Sequence, residues 1–383
     1  MQQILRFLLL SLALAVRNDG LLAQTQQDTP ANHQDAPIRL LRIYEDNDFI
    51  NMYGRGTDNA YTNGTRIDLF YTKKRPSRFF IDRSMPKAGD SSIDVFGWGI
   101  MQIMFTPDNL ATPVYQADDY PYSGALFATH TLYSYNPVKK YDFQTELILG
   151  VMGPASLAEQ TQRLVHKIIN YQQPEGWGNQ LGTDVLVNIH FTVEKQLAAL
   201  GSSTGSPKAP VAELIGGSQV FYGTMLNGVT LYPLVRVGLM NPYFQGYMSQ
   251  YTSGGSNATG GSHVTGKHRK IQAYLIFKPE AQLIFTNALL DGALFTDGHT
   301  TSSDGGKESG KGTAPQATTA AATEEAATTP SHGGLRHMVY TMNYGATIVA
   351  GHFSISFTQS TTTALMKGLY DHEVGNISLY VKL

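Results

Sequence analysis

The sequence predicts an all-β protein: a closed, 12-stranded antiparallel transmembrane β-barrel with one short helix in an extracellular loop. Three observations predict it. Apolar and polar side chains alternate with period two over about a dozen segments, as they must when successive residues face opposite sides of a sheet. The 383 residues include 21 Tyr, 17 Phe and 38 Gly beside only 15% charged residues, the balance of a barrel with aromatic girdles at both membrane interfaces. The N-terminus, finally, has the form of an export signal.

That signal is an apolar run from Phe7 to Val16, preceded by Arg6 and broken by Arg17, Asn18 and Asp19. It is too short to span a bilayer, and small residues follow at Ala15 and Ala23, so residues 1–23 read as a cleaved signal peptide. Residues 24–37 form a polar, Gln-rich spacer, and 38–383 the barrel. Strands are expected near 38–48, 61–72, 94–105, 122–136, 140–152, 182–197, 212–224, 228–240, 270–288, 336–350, 352–365 and 372–383. The alternation is clearest where Val185, Val187, Ile189, Phe191 and Val193 interleave with Asp184, Leu186, Asn188, His190, Thr192 and Glu194. One face suits lipid and the other water. The last strand runs to the C-terminus with Ile377, Leu379, Val381 and Leu383 on one parity. A soluble β-sandwich also alternates across one wet face; strand length, the export signal and the placement of both termini favour the barrel.

With both termini periplasmic, the connections after odd-numbered strands lie outside. Residues 289–335, rich in Thr, Ala, Gly and Ser, are then an external low-complexity loop, expected to be disordered and without activity of its own. The Gly- and Ser-rich stretch 241–269 becomes a long inward-side connection with no readable role. Without cysteine there is no disulfide, thiolate zinc site, cysteine nucleophile or lipoprotein anchor. A formal charge of −2 with scattered basic residues argues against nucleic acid as a partner. Gly201-Ser202-Ser203-Thr204-Gly205 matches a nucleophile-elbow pattern but lacks the strand-to-helix turn that the elbow requires.

Three features can carry chemistry. Strand one ends in Tyr44-Glu45-Asp46-Asn47-Asp48-Phe49, a run of oxygen donors suited to a hard cation, although Asp and Asn also simply terminate strands. Strand two starts in Thr57-Asp58-Asn59-Ala60-Tyr61-Thr62-Asn63-Gly64, which pairing brings beside Asn47 and Asp48; Thr62 and nearby backbone N–H groups can serve an oxyanion there. The loop after strand five carries helical periodicity from Pro154 to Tyr171, with Ser156 and Glu159 as a capping box and Leu157, Leu164, Ile168 and Tyr171 on one face. Gln162 and His166 lie one turn apart on the opposite face. A histidine there is either solvated or, if the loop folds over the rim, a general base.

In order along the chain, Glu45-Asp46-Asn47-Asp48-Phe49, Thr57 to Gly64, Met101 to Pro107, Asp119-Tyr120-Pro121-Tyr122-Ser123-Gly124, Gly150 to Ser156 with Gln162 and His166, Gly176-Trp177 and Gln180-Leu181 resemble the LpxR-type lipid A 3′-O-deacylases. The resemblance covers about residues 38–197 and implies an outer-membrane barrel with its site between the outer wall and a loop helix, facing the cell exterior. It implies Ca2+-dependent hydrolysis of the 3′-linked acyloxyacyl ester of lipid A, within lipopolysaccharide of the outer leaflet. Asn47 and Asp48 would then be the metal pair, Thr62 the oxyanion residue, and Gln162 and His166 the helix pair, with His166 as general base. The sequence departs from the family pattern in the Leu110-Ala111-Thr112-Pro113 loop, which lacks a Lys, at Gln172 in place of a carboxylate, and at Tyr120 in place of an Arg. Those changes bear on recognition of the phosphorylated head group. An outer-membrane phospholipase and an inactive barrel scaffold or pore are the other readings.

Overall fold

The computed structural model describes residues 38–52, 59–73, 75–201, 210–252, 269–292 and 334–383. The proposed signal peptide, the spacer, most of the Gly201–Gly205 pattern and the low-complexity centre of the 289–335 loop lie outside them. Twelve strands close into one antiparallel barrel: β1 (Arg39–Asn47), β2 (Ala60–Tyr71), β3 (Ile93–Thr106), β4 (Ser123–Asn136), β5 (Tyr141–Met152), β6 (Asp184–Gly201), β7 (Pro210–Gly223), β8 (Leu226–Leu239), β9 (Ile271–Asn287), β10 (Met338–Ala350), β11 (Phe353–Thr362) and β12 (His372–Lys382). Each strand pairs with its sequence neighbours, and β12 closes on β1 with Leu40 opposite Lys382, so both termini share one end. The shortest strand has 9 residues, enough for a tilted membrane crossing of about 9–11.

Alternation decides what faces where. Ile43, Ile67, Trp98, Ile100, Leu149, Val187, Leu231, Leu275 and Ile348 stand exposed on the outside as an apolar belt. The opposite parity fills the lumen with polar groups, many of which pair with one another. Arg42 and Arg66 both pair with Asp68, at 2.7 and 2.8 Å, and Arg66 also reaches Glu146 at 3.0 Å. Arg236 pairs with Glu213 at 2.7 Å, both nearly fully buried. Breaking such a pair by removing one partner costs about 3–5 kcal/mol, since the other charge is left stranded.

The connection after β8 explains part of what composition left unreadable. Residues 241–252 turn back into the lumen as a plug, with a 3-10 turn at Tyr243–Gln245 and a short helix at Tyr247–Tyr251. Tyr243 donates to Glu194 at 2.6 Å, and Tyr251 stacks on Tyr380 with ring centroids 4.0 Å apart. The open polar lumen that a pore would need is therefore filled at the terminal end. At the far rim the start of the 289–335 loop is ordered rather than loose: Leu289 and Leu290 are buried with Met225, Leu335, Leu365 and Met366 as an apolar cap over the mouth. Beneath the cap lies a cavity of about 470 Å³ lined by Tyr44, Asp46, Tyr61, Glu280, His372 and Asn376 among others.

Candidate functional site

The predicted residues gather on the outside of the barrel wall, at the rim opposite the termini. On β1, Tyr44 and Asp46 line the inner cavity, so Ile43, Glu45 and Asn47 face outward. Asn47 lies opposite Asn63, which places Asp48 and Thr62 side by side at the top. The β2–β3 register slips between Tyr61 and Asn63, next to Ala60 at a left-handed φ of 55°. Because of this bulge Tyr61 turns inward, its hydroxyl donating to Asp46 at 3.2 Å. Thr62 stays on the outer side, its hydroxyl 2.6 Å from that of Thr106.

Up the outward wall the register stacks three rows. Ile43, Ile67 and Ile100 form the lowest; Glu45, Thr65 and Gln102 the next; Asn47 and Asn63, beside Met104, the highest. The isoleucines are 41%, 47% and 51% exposed, as belongs to a lipid-facing belt. Polarity thus begins roughly 7 Å above them, two residues of strand rise. Glu45 accepts hydrogen bonds from Thr65 (2.7 Å) and Asn63 and ties the polar rows together.

The loop helix, Ala158–Ile169, covers this wall. Gln102 donates to the carbonyl of Ser156 at 2.7 Å, and a Cβ at Gly124 would overlap Ala158, so glycine is what lets the helix approach β4. Its polarity is the reverse of a surface helix in water. Leu157, Leu164, Val165 and Ile168 are 44–59% exposed, whereas Gln162 and His166 are 3% exposed and point toward the barrel. The predicted capping box does not form. Residues Gly153–Ser156 make a 3-10 turn in which Ser156, buried beside Gly124, donates to the Gly153 carbonyl at 2.6 Å, and Leu157 caps the helix at a left-handed φ of 59°. Glu159 pairs instead with Arg163 at 2.9 Å.

The helix pair is oriented by groups that the sequence placed in or beside its motifs without a role. Trp177, fully buried in the 3-10 turn Gly176–Asn179, donates its indole N–H to Gln162 Oε1 at 2.7 Å. An indole can only donate, so the amide is fixed with Nε2 on the other side, buried and without a hydrogen-bond partner among the described residues. His166 Nδ1 donates to the backbone carbonyl of Gln172. A carbonyl can only accept, so Nδ1 carries the proton and the neutral ring has its lone pair at Nε2. The position that departs from the family's carboxylate thus orients the ring through its main chain. Tyr120 is likewise structural, hydrogen-bonded to Leu365 N–H and the Tyr370 carbonyl across the rim.

Two contacts join helix and wall. Tyr171 packs edge-on against both His166 (5.1 Å) and Phe49 (6.3 Å), the neighbour of Asp48. Met104, Leu110, Tyr122, Ala158 and Trp177 form a buried cluster beneath the helix. Asn47, Asp48 and Thr62 therefore stand on the barrel side of one stretch of rim, and Gln162 and His166 on the helix side. Thr106 and Trp177 belong with them. In the sequence they were members of the motifs Met101 to Pro107 and Gly176-Trp177, with no role assigned.

For a cation the donors are oxygens. Asp48 is a buried carboxylate whose Oδ2 accepts from the Asn59 N–H at 3.0 Å, and Asn47 Oδ1 accepts from the Phe49 N–H at 2.8 Å. Among the described residues no three His, Cys, Asp or Glu side chains cluster to hold a metal. The set suits a hard ion in kind, with main-chain, water or substrate oxygens needed to complete six or more ligands.

Comparison with known proteins agrees with this architecture. A family model described as outer membrane protein LpxR matches residues 7–383. LpxR from Salmonella typhimurium superposes with a TM-score of 0.61 at 15% sequence identity, covering 89% of this chain and 99% of that one. The β domain of the Bordetella autotransporter BrkA is more distant, with a TM-score of 0.38 at 7% identity over 91% and 99% of the two chains. No curated protein sequence matches.

Proposed function

The chain belongs to the LpxR family of outer-membrane proteins and is an integral β-barrel of that membrane, and from that premise we propose that it hydrolyses the 3′-linked acyloxyacyl ester of lipid A. The observation that carries the reading is the placement of the helix–wall site. It sits at the upper edge of the apolar belt, under a helix with its apolar side exposed, and not in the lumen. A lipid in the outer leaflet would lay its acyl chains along Ile43, Ile67 and Ile100 and present its ester at the polar rows, without leaving the membrane. The termini then face the periplasm and the site faces the exterior.

Chemically, a water molecule attacks the ester carbonyl carbon while His166 Nε2 removes its proton. The Gln162 amide, held by Trp177, donates to the oxygen on which charge develops, and the Thr62 hydroxyl, paired with Thr106, lies on the barrel side of that charge. Collapse breaks the bond to the sugar oxygen, which takes the proton back from the imidazolium, and the acyloxyacyl chain is released as the free acid, which gives its remaining proton to solvent. Asn47 and Asp48 would hold calcium, which when bound supplies a fixed positive charge beside the carbonyl.

The test is mass spectrometry of lipid A from membranes that contain the protein, incubated with calcium or with a chelator. Loss of a 3′ acyloxyacyl unit in calcium alone is the expected result. Unchanged lipid A would overturn the reading; phospholipids cleaved in its place would establish a phospholipase at the same site.

A further inference from the structure

At the other end of β3 and β4 the connection between β2 and β3 folds back onto the outward wall. From Lys73 to Lys87 the sequence places six Lys or Arg against a single acid, Asp82, in a chain whose overall charge is −2. The acid is turned away from the surface: Asp82 is 1% exposed, paired with Lys73 and Ser77 and bonded at 2.6 Å to His130 on the outward face of β4. Met85, packed on Phe96 and Leu132, and Ala88, whose N–H donates to Ser134 at 2.9 Å, complete the attachment. What is left outside is basic and aromatic. Arg75, Arg78 and Arg83 are exposed, and Phe79, Phe80 and Trp98 are 39%, 72% and 47% exposed on the lipid side of the wall.

We propose that this segment is a binding surface for anionic phospholipid headgroups in the leaflet at the terminal end of the barrel. Phe80 and Trp98 sit at acyl-chain and interface depth, as aromatic residues do in membrane girdles, and the arginines beside them meet the phosphodiester. Guanidinium forks match phosphate oxygens in pairs, and with Asp82 internalised no carboxylate of the segment's centre competes for them. The inference rests on the orientation given above, in which the leaflet at this end is made of phospholipid and not lipid A.

The test uses the full chain purified in a neutral detergent, with bound lipid counted by native mass spectrometry after titration with phosphatidylglycerol, phosphatidylcholine or lipid A. Phosphatidylglycerol should bind at least tenfold more tightly than phosphatidylcholine, and less tightly as salt rises. The triple variant R75Q/R78Q/R83Q should lose that preference, while its mobility shift on heating shows that the barrel is folded; R78Q alone serves if the triple variant does not assemble. Equal binding of the two phospholipids, or a preference unaltered in the variants, overturns the proposal, and a preference of the segment for lipid A overturns both it and the orientation. Ester release measured on the same samples separates this surface from the active site: its loss in the native chain with phosphatidylglycerol binding intact would sink only the enzymatic reading.

Discussion

Each end of the outward face of β3 and β4 carries a segment folded back onto the wall, and each buries a histidine whose Nδ1 is bonded to a backbone carbonyl. For His130 that carbonyl belongs to Gly97 (3.0 Å), and for His166 it belongs to Gln172. The difference lies around the rest of the ring. His130 has the Asp82 carboxylate on Nε2 and Trp98 stacked at 4.1 Å, so both nitrogens are committed to holding a segment in place. His166 shares its helix face with the Gln162 amide, whose Nε2 is aimed into the site. The same imidazole with the same anchor serves as a clamp at one end and, in the proposed reaction, as the base at the other.

The largest effect would come from exchanging the roles. His166→Ala is expected to lower ester release by about 10²-fold or more without altering the heat-modifiable migration of the folded barrel. His130→Gln should do the opposite, leaving turnover close to wild type and costing about 1.5–3 kcal/mol of stability by weakening one bond to Asp82, which keeps Lys73 and Ser77. Turnover retained in the first variant, or lost in a folded second, would erase the distinction. Next in size, Gln162→Leu removes the buried donor and should lower turnover by about 10²-fold with little change in substrate affinity, and Trp177→Phe should give part of that loss. Equal turnover for wild type and Gln162→Leu would take the amide out of the reaction.

The smallest effect concerns acid. Burial pushes the Asp82 carboxyl up, but its bonds from Lys73, Ser77 and His130 outweigh that and hold it below the ordinary carboxylate range. A group lowered in the folded state stabilises above its unfolded pKa of about 3.9 and loses that contribution as pH falls through the folded value. Melting temperatures of wild type and Asp82→Asn should therefore differ at pH 7 and begin to converge only as pH falls below about 4 toward the lowered folded value. A constant difference across that range would mean that Asp82 acts by shape alone.

The strands were legible because lipid and lumen impose opposite demands on alternate residues. Val187 beside Asn188 and Ile67 beside Asp68 could serve no other arrangement as well. The helix was legible as a helix, and the Gln162–His166 spacing as a pair. Its cap was not, since whether Ser156 bonds the helix or its own turn depends on β4 approaching at Gly124, a contact 32 positions away. Nor did the sequence reveal which side of the helix faces inward: Leu164 and Ile168 would be core residues in a soluble protein and are surface residues here. Trp177 and Thr106 were legible as members of motifs but not in their roles, because their partners, Gln162 and Thr62, are set by a turn and a bulge and not by a local pattern.

The plug ties together parts of the chain that are far apart in sequence. It lies in sequence between β8 and β9, yet Tyr247 reaches Arg42 on β1, Tyr243 packs on Tyr135 of β4, Ser249 accepts from Gln272 of β9, and Tyr251 meets both Ser354 of β11 and Tyr380 of β12. The strands β1 and β12 join directly, Leu40 opposite Lys382 through Asn47 opposite Gly375. The plug touches both strands of that seam from within, so it works as an internal brace across the place where the cylinder is sewn shut.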